Sequence, residues 1–393
     1  TTDEAGRYEL RLETGVYRLS FQYIGFKTVT LDQLVEGNTT LNMAMEVDEN
    51  QLQTVNILNK RKDFSYEIIR NTIAEKEKYQ NQFTNQRRTI YVKSKETNTT
   101  TANAEDDKKA EDKNTVEQVT KIKDSIPDLN YFEGKFTQYI QPPRGFKQVK
   151  EAAKKIGRQY SLLYTNTTDA DFNFYDNLIF VKKLGDNSYV SPLSTTAFIS
   201  YKYKLLGSDF DDGKKYYRVQ VKPRKLGNAL FSGELHIWDE SWTLKYVNLS
   251  VPKRSLILYN SFTIEQWYTS AKGKWVLAQE QLQWEIKTKS SQSIGEAKVL
   301  FQDYSFDSTY TKRFFNAEVG ITQDSAYDRD TSYWSTIRPV PLTTDESKFI
   351  AYKDSIYRIT TSEEYLDSLD SAFNKLTIPN LLWDGQGIIN RDK

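Results

Sequence analysis

YYRVQVKPRKLGNALFSGELHIWDESWTLKYVNLSVP (Tyr216–Pro252) and SFTIEQWYTSAKGKWVLAQEQLQWEIK (Ser261–Lys287) decide the fold of this chain. Phe231, Gly233, Leu235 and Ile237 recur at every second position while Ser232, Glu234 and His236 fall between them, the period of a strand with one buried face. Val276, Ala278, Leu282, Trp284 and Ile286 share one parity in the same way, with Glu280 as the exception. The runs are joined by short connections at 224–228, 239–241 and 271–273, which predicts antiparallel pairing of successive strands. Of the seven tryptophans, Trp238, Trp242, Trp267, Trp275 and Trp284 lie here. The prediction is a meander of long strands.

Such a sheet needs a cover for its apolar face. Phe146, Val149, Ala153 and Ile156 stand at i, i+3, i+7 and i+10, after Pro142-Pro143 and before Gly157, so the spacing predicts a covering helix over Phe146–Ile156. A second helix is expected from Asp63 or Ser65 onward, with Tyr66, Ile69 and Ile73 on one face. A third is expected at the capping pattern Thr361-x-x-Glu364, carrying the stripe Leu366, Leu369, Phe373 and Leu376 and stopped by Pro379.

At 393 residues the chain suggests two or three domains. Lys plus Arg (54) nearly cancels Asp plus Glu (53), which argues against a nucleic-acid binder. There is no cysteine, so disulfides, thiolate metal sites and thiol nucleophiles are excluded. No apolar run is long enough for a transmembrane helix, and the opening Thr1-Thr2-Asp3 lacks a leader, so the chain reads as a fragment or processed chain. An aromatic content of 13% favours a β-rich fold.

Strands are expected at 8–12, 16–23, 28–31 and 39–45, with Gly6, Gly15, Gly25 and Gly37 at turns, half of a sandwich. A linker or edge strand follows over 47–62, and Arg88–Lys93 is another strand. Thr97–Asn114, nearly empty of large apolar side chains, is expected to be a disordered insertion. Further strands are expected over Ala197–Leu206, Tyr216–Lys225 and Glu296–Tyr304. The run Asp171–Val181 is expected to hold a turn leading into an aromatic strand.

The pattern of Thr2-Asp3-Glu4, Gly6, Tyr8 and Leu10, followed by Gly15, Tyr17, Leu19, Phe21 and Tyr23-Ile24-Gly25-Phe26, resembles the carboxypeptidase-regulatory-like domain of Bacteroidetes outer-membrane proteins, without its first strands. Glu67-Ile68-Ile69-Arg70, Asp171–Asn177, Ser191-Pro192-Leu193, Arg338-Pro339-Val340-Pro341-Leu342-Thr343 and Tyr365–Asp370 are similar, in this order, to a family of such proteins. In that family a periplasmic domain of unknown function follows the regulatory-like domain and precedes a C-terminal β-barrel. The resemblance implies residues 1–46 as a truncated β-sandwich, 63–340 as a half-barrel domain, and 341–393 as a helical segment leading to a barrel absent here. The expected fold is mainly β (α+β): a partial β-sandwich, then a strongly curved antiparallel half-barrel sheet covered by one or more helices, similar to the lipoprotein carriers.

No constellation for catalysis is visible. His236, the one histidine, lacks the companions of a zinc site or a triad and reads as an ordinary surface residue. Asp169-x-Asp171-x-Asn173 resembles the start of a calcium loop, but Phe174 and Phe180 stand where Gly and Glu are required. Strand tyrosines and tryptophans could form a carbohydrate platform, though core and cross-strand packing is the commoner use. Asp-Ser followed by a small or apolar residue resembles the O-glycosylation sequon of this bacterial group at Ser125, Ser308, Ser325, Ser355, Ser368 and Ser371; the competing reading is a turn or N-cap pair. No cofactor is expected. Two functions follow: a periplasmic scaffold docking an envelope protein, or a carrier holding a lipid or apolar peptide in the groove, with a hydrolase a distant third. Phe231, Leu235, Ile237, Trp267 and Trp284 are expected to fill the groove against Val149, Ala153 and Ile156, which favours the scaffold.

Overall fold

The computed structural model describes residues 7–21, 29–35, 37–46, 63–100, 128–142, 145–157, 164–225, 229–289, 291–311, 313–315 and 319–367. The chain divides into two compact units, Thr1–Lys62 and Asp63–Lys393. In the first, β1 (Gly15–Phe21) pairs antiparallel with β2 (Val29–Val35). The described residues 8–12 and 39–45 are not strands; they are tied instead by the Tyr8 hydroxyl, which donates to Leu41 O at 2.9 Å, and by Tyr8 set edge-on against Phe21.

The second unit is built on one large curved antiparallel sheet of eleven strands. In chain order these are β3 (Gln86–Thr100), β4 (Leu129–Gln141), β5 (Gly145–Ile156), β8 (Tyr201–Asp211), β9 (Lys214–Pro223), β10 (Ser232–Trp238), β11 (Leu244–Ser250), β12 (Ser261–Ala271), β13 (Lys274–Lys287), β14 (Ser291–Phe306) and the short β15 (Gly320–Thr322). Strands β8 to β14 form the expected meander. Next to β14 lie β3, β4 and β5 in turn, and β15 joins β5 in parallel. Two short strands, β6 (Leu178–Ile179) and β7 (Tyr189–Val190), make a separate pair.

Register carries one inner face across the sheet. The aligned positions Tyr203↔Val221, Val219↔Leu235, Leu235↔Val247, Leu249↔Ile264, Ile264↔Leu282, Leu282↔Ala297 and Val299↔Val92 run from β8 to β3. These side chains are buried, as the period-2 pattern requires. Trp267 has the opposite parity and lies beside Tyr246 on the outer face, which corrects its expected place in the groove.

Residues 145–156 are a strand, not a helix. They pair with β4 along their whole length, from Gly145↔Gln141 to Ile156↔Tyr131. Both periods fit the sequence; tertiary pairing with an aromatic partner strand overrides the helical propensity of its Glu, Ala and Lys residues. Gly157 is not a helix cap: it has φ +121°, and a Cβ there would sit 2.4 Å from the Asn130 side chain. Thr97–Thr100, expected in the loop, extend β3 against Ser291–Ile294, and the rest of that stretch lies outside the described residues.

The cover of the inner face is α1 (Ser65–Gln80) together with the irregular segment 164–200, which ends in the one-turn α2 (Ala197–Ser200). Asp63 accepts from Ser65 N at 3.0 Å at the start of α1, while Ile68, Ile69, Thr72 and Lys76 form its buried stripe. The expected strand within Asp171–Val181 is reduced to β6. On the outer face lie α3 (Thr331–Ile337) and α4 (Thr344–Thr360). The capping box is Thr343 with Glu346. Thr361 closes α4, its hydroxyl donating to Tyr357 O at 2.7 Å, and Ser362 accepts from Tyr365 N in its place. The stripe expected at Leu369, Phe373 and Leu376 lies outside the described residues.

Candidate functional site: the inner face and its cavity

Segment 164–200 occupies the inner face over the meander. Phe172, Phe174, Tyr175, Tyr189 and Leu193 are buried against Phe231, Leu235, Leu244, Phe262 and Ile264. Phe174 meets Phe231 edge-on at 5.3 Å, and Tyr175 stacks on Tyr79 of α1 at 3.8 Å.

Hydrogen bonds that satisfy an irregular buried backbone fix this plug. Gln266 donates to Phe172 O at 2.7 Å, Ser191 Oγ donates to Phe174 O at 2.5 Å, and the Tyr203 hydroxyl donates to Pro192 O at 2.6 Å. Leu244 N donates to the Tyr175 hydroxyl at 2.8 Å. Lys76 Nζ reaches Asn177 Oδ1 at 2.7 Å and Leu193 O at 3.3 Å. The sequence runs Asp171–Asn177 and Ser191-Pro192-Leu193 are thus the plug's own anchors.

Where the plug stops, toward β3 and β14, a cavity of about 710 Å³ remains. Apolar groups line part of it (Val92, Phe172, Val299, Phe301) and polar groups the rest. Arg88 donates through Nε to Gln138 at 2.7 Å and stacks on Phe301 at 4.6 Å. Glu280 is 2% exposed and accepts at Oε2 from Gln266 at 2.6 Å, while Gln266 accepts from the Tyr268 hydroxyl at 2.8 Å. Burial pushes the Glu280 carboxyl up to about 8, with the charge of Asp171 adding to the rise and that of Arg88 opposing it. Asp171 presents surface to this recess, yet protein surrounds it closely, and burial raises its pKa against the pull of Arg88. Asp176 is also raised, by burial first and then by the charge of Asp171.

The outer face of β3 and β4 carries a second polar cluster. Glu133 is fully buried and accepts from Tyr91 at 2.6 Å, from Tyr131 at 2.9 Å, and from Arg338 Nε and Nη2 at 2.8 and 2.7 Å. Burial and the Glu133 charge raise the hydroxyl pKa values of Tyr91 and Tyr131. Lys93 and Lys95 both pair with Glu346, and Lys93 also donates to Pro341 O at 2.8 Å. Burial works to raise the Glu346 carboxyl, but the hydrogen bond and charge of Lys93 outweigh it and hold the group below the usual range. Phe349 and Ile350 of α4 pack on Leu129 and Tyr131 beside this cluster.

His236 is half-buried on the outer face, not a free surface group. It bonds Glu234 at 2.8 Å between Tyr216 and Tyr246, and burial lowers its pKa. Asn173 accepts from Tyr175 N at 3.2 Å in a turn, whereas Asp171 lines the cavity; Asp169 belongs to the 3-10 turn Thr167–Ala170. Among the Asp-Ser serines, Ser308 follows β14, where Asn85 holds its backbone, and Ser325 is exposed in a turn. Ser355 is inside α4, donating to Ala351 O at 2.8 Å, so its Asp-Ser pair is not at a helix start. Ser125, Ser368 and Ser371 lie outside the described residues. Arg88 and Asp176 escaped sequence reasoning. Glu280 carried a signal, as the break in the β13 parity.

Fold and site together define a mainly β protein whose large curved sheet is covered on its inner face by its own chain. Residues 68–304 match the family described as "Family of unknown function (DUF5686)", and the chain belongs to that family. No curated protein matches it. Among solved structures, it is similar to a DUF1329 family protein from Desulfovibrio piger (9% identity, 65% of this chain and 98% of that one, TM-score 0.26). A LolA superfamily protein from Nitrosomonas europaea gives 9% identity over 63% and 96%, TM-score 0.24. An outer membrane lipoprotein-sorting protein domain from Vibrio parahaemolyticus gives 12% over 66% and 99%, TM-score 0.26.

Proposed function

We propose that this chain is a non-enzymatic region of an outer-membrane protein, facing the periplasm and serving as a scaffold that docks an envelope protein partner. The observation that carries the reading is the plug. Phe172, Phe174, Tyr175, Tyr189 and Leu193 already occupy the inner face over the meander, where an acyl chain would have to lie. An interior packed by its own side chains leaves an acyl chain nothing to displace except the fold itself. The envelope setting is supported by the resemblance carried by the motifs quoted above, which also implies a regulatory-like sandwich over residues 1–46 and a membrane barrel after the helical segment. Ser325, exposed in its turn, is the described Asp-Ser serine best presented for O-glycosylation.

The second reading, a carrier of a lipid or apolar peptide, draws support from the residual cavity. The test is titration of delipidated protein with a fluorescent fatty acid, beside mass spectrometry of proteins and lipids that co-purify from native outer membranes. The scaffold reading expects no one-to-one uptake and a stoichiometric protein partner. Saturable one-to-one uptake, or a stoichiometric lipid without a protein, would overturn it.

A further inference from the structure

The cavity bounded by β3, β13, β14 and the start of the plug is chemically unlike the rest of the inner face. Its described lining holds Asp171, Asp176 and Glu280 but one cation, Arg88. That cation is already engaged, by Gln138 through Nε and by the Phe301 ring. Glu280 sits at a position of β13 whose inward neighbours are Leu282 and Trp284, and a carboxyl there has to be dehydrated. A leucine would serve packing better, so the carboxyl is not explained by the fold. Among the described residues only one of its oxygens is used: Oε2 accepts from Gln266, and Oε1 has no hydrogen-bond partner there although the side chain is almost wholly buried and lines the cavity. Asp171, on the facing segment, likewise makes no hydrogen bond among the described residues. Tyr79, Tyr268, Tyr304 and Trp275 supply aromatic walls around these groups. Aromatic faces, the buried carboxyl of Glu280 and the carboxyl of Asp171 at the recess attract the same thing, an organic cation.

We propose that this cavity binds a small organic ligand carrying a protonated primary amine, the ammonium seated on the unpaired oxygen of Glu280 and on Asp171, with its apolar part against Val92, Phe172 and Phe301. An ammonium has three donors and matches acceptors converging from β13 and the plug. The volume of about 710 Å³ lies within the usual range for small-ligand sites, roughly 300 to 1,000 Å³. The rim includes the exposed residues Asn81, Gln141 and Asn173, so the site has a route to solvent. The amine can come from a free small molecule or from a phosphoethanolamine headgroup. This inference does not depend on the scaffold reading.

Binding is coupled to protons. Glu280 faces Gln266 and Tyr268 from β12, Arg88 from β3, Asp171 from the plug, Tyr304 from β14 and Tyr79 from α1, and without a ligand it keeps its proton up to about pH 8. An incoming ammonium favours the carboxylate, so each binding event below that pH releases a proton, and affinity rises from pH 6 to pH 8.

The experiment is isothermal titration of the full chain with phenethylamine, phenylacetate and 2-phenylethanol at pH 6, 7 and 8, in buffers of different ionisation enthalpy. Expected are one saturable phenethylamine site per chain, binding at least tenfold weaker for the other two probes, and proton release at pH 6 and 7. Glu280→Gln keeps an acceptor for Gln266 and is expected to weaken phenethylamine at least tenfold without lowering Tm. Asp171→Asn, which breaks no hydrogen bond among the described residues, is the second variant and is expected to weaken it severalfold. Dihexanoyl phosphatidylethanolamine against dihexanoyl phosphatidylglycerol separates the sources: Glu280-dependent binding of the first identifies a headgroup, and phenethylamine binding alone identifies a free amine. No saturable phenethylamine binding, equal binding of phenylacetate, or affinity untouched by both variants would overturn the proposal, as would a fall in Tm of Glu280→Gln with binding intact.

Discussion

Both faces of this sheet are covered by the chain itself, but by different chemistry. On the inner face the plug contributes rings, and their hydroxyls or neighbouring side chains satisfy its backbone, as with Tyr203 on Pro192 O and Gln266 on Phe172 O. On the outer face α3 and α4 are held by ion pairs, Arg338 on Glu133 and Lys93 on Glu346, beside the buried Trp334 of α3 and a small apolar cluster at Phe349 and Ile350. An irregular segment with no ladder of its own gains most from burying area, whereas α4 already satisfies its backbone internally and can be positioned by a few charges. The inner cover should therefore fail through lost packing and the outer cover through an orphaned charge.

The largest expected effect is on the inner side. Phe174→Ala removes a fully buried ring in contact with Phe231 and should cost about 4 kcal/mol, read by urea denaturation at pH 7. A loss below about 1 kcal/mol would mean that the plug is only loosely seated.

On the outer side, Glu133→Leu leaves Arg338 and the hydroxyls of Tyr91 and Tyr131 without their acceptor, at a cost of about 3 kcal/mol. Adding Arg338→Met should recover part of this, because it removes the charge left behind while the two hydroxyls stay without an acceptor. A double mutant no more stable than Glu133→Leu alone would show that the pair is more than a satisfied charge.

How much of this was legible follows the same division. The meander is readable because β10 alternates and β13 does so apart from Glu280, and α1 because Asp63 and the Ile69 and Ile73 spacing announce a helix. Residues 145–156 were misread since Phe146, Val149, Ala153 and Ile156 satisfy a helical period by coincidence, while the information that makes them a strand lies in β4. The plug has no sustained period, so its residues read as a turn and a strand and as similar to a family, and not as a cover. The Glu133 to Arg338 pair spans 205 residues, and no local pattern joins them. Trp267 was placed inside by its size; parity puts it outside.

A pH series sharpens the comparison at the cavity. Glu280 is raised to about 8 in the folded protein and has an ordinary value, near 4.3, when unfolded. As pH rises past the lower value the unfolded chain loses this proton while the folded chain keeps it, so this residue lowers stability progressively up to about pH 8 and changes nothing further above. Glu280→Gln abolishes that loss. The variant should match the parent near pH 4 and exceed it by about 2 kcal/mol at pH 8, once relaxation around the carboxyl is allowed for. A stability difference that does not grow between pH 5 and pH 8 would place the carboxyl in a wetter environment than the structure gives it.

The smallest expected effect tests whether the plug's hydrogen bonds matter beside its rings. Tyr203 is buried on β8, its ring is edge-on to Tyr66 at 5.6 Å, and its hydroxyl donates to Pro192 O at 2.6 Å. Tyr203→Phe keeps the ring and its contacts, and removes one donor from a carbonyl inside the plug. A buried carbonyl left without its partner costs about 1 kcal/mol, well below the loss at Phe174. Because Pro192 lies between Ser191 and Leu193, which are fixed independently by the Ser191 hydroxyl and by Lys76, the local backbone should stay in place. Hydrogen exchange should then show faster opening confined to residues near 190–197, with the sheet amides unchanged. Equal acceleration across β9 to β12 would mean that the plug and the sheet open as one unit, and that the inner cover is part of the core and not a separable lid upon it.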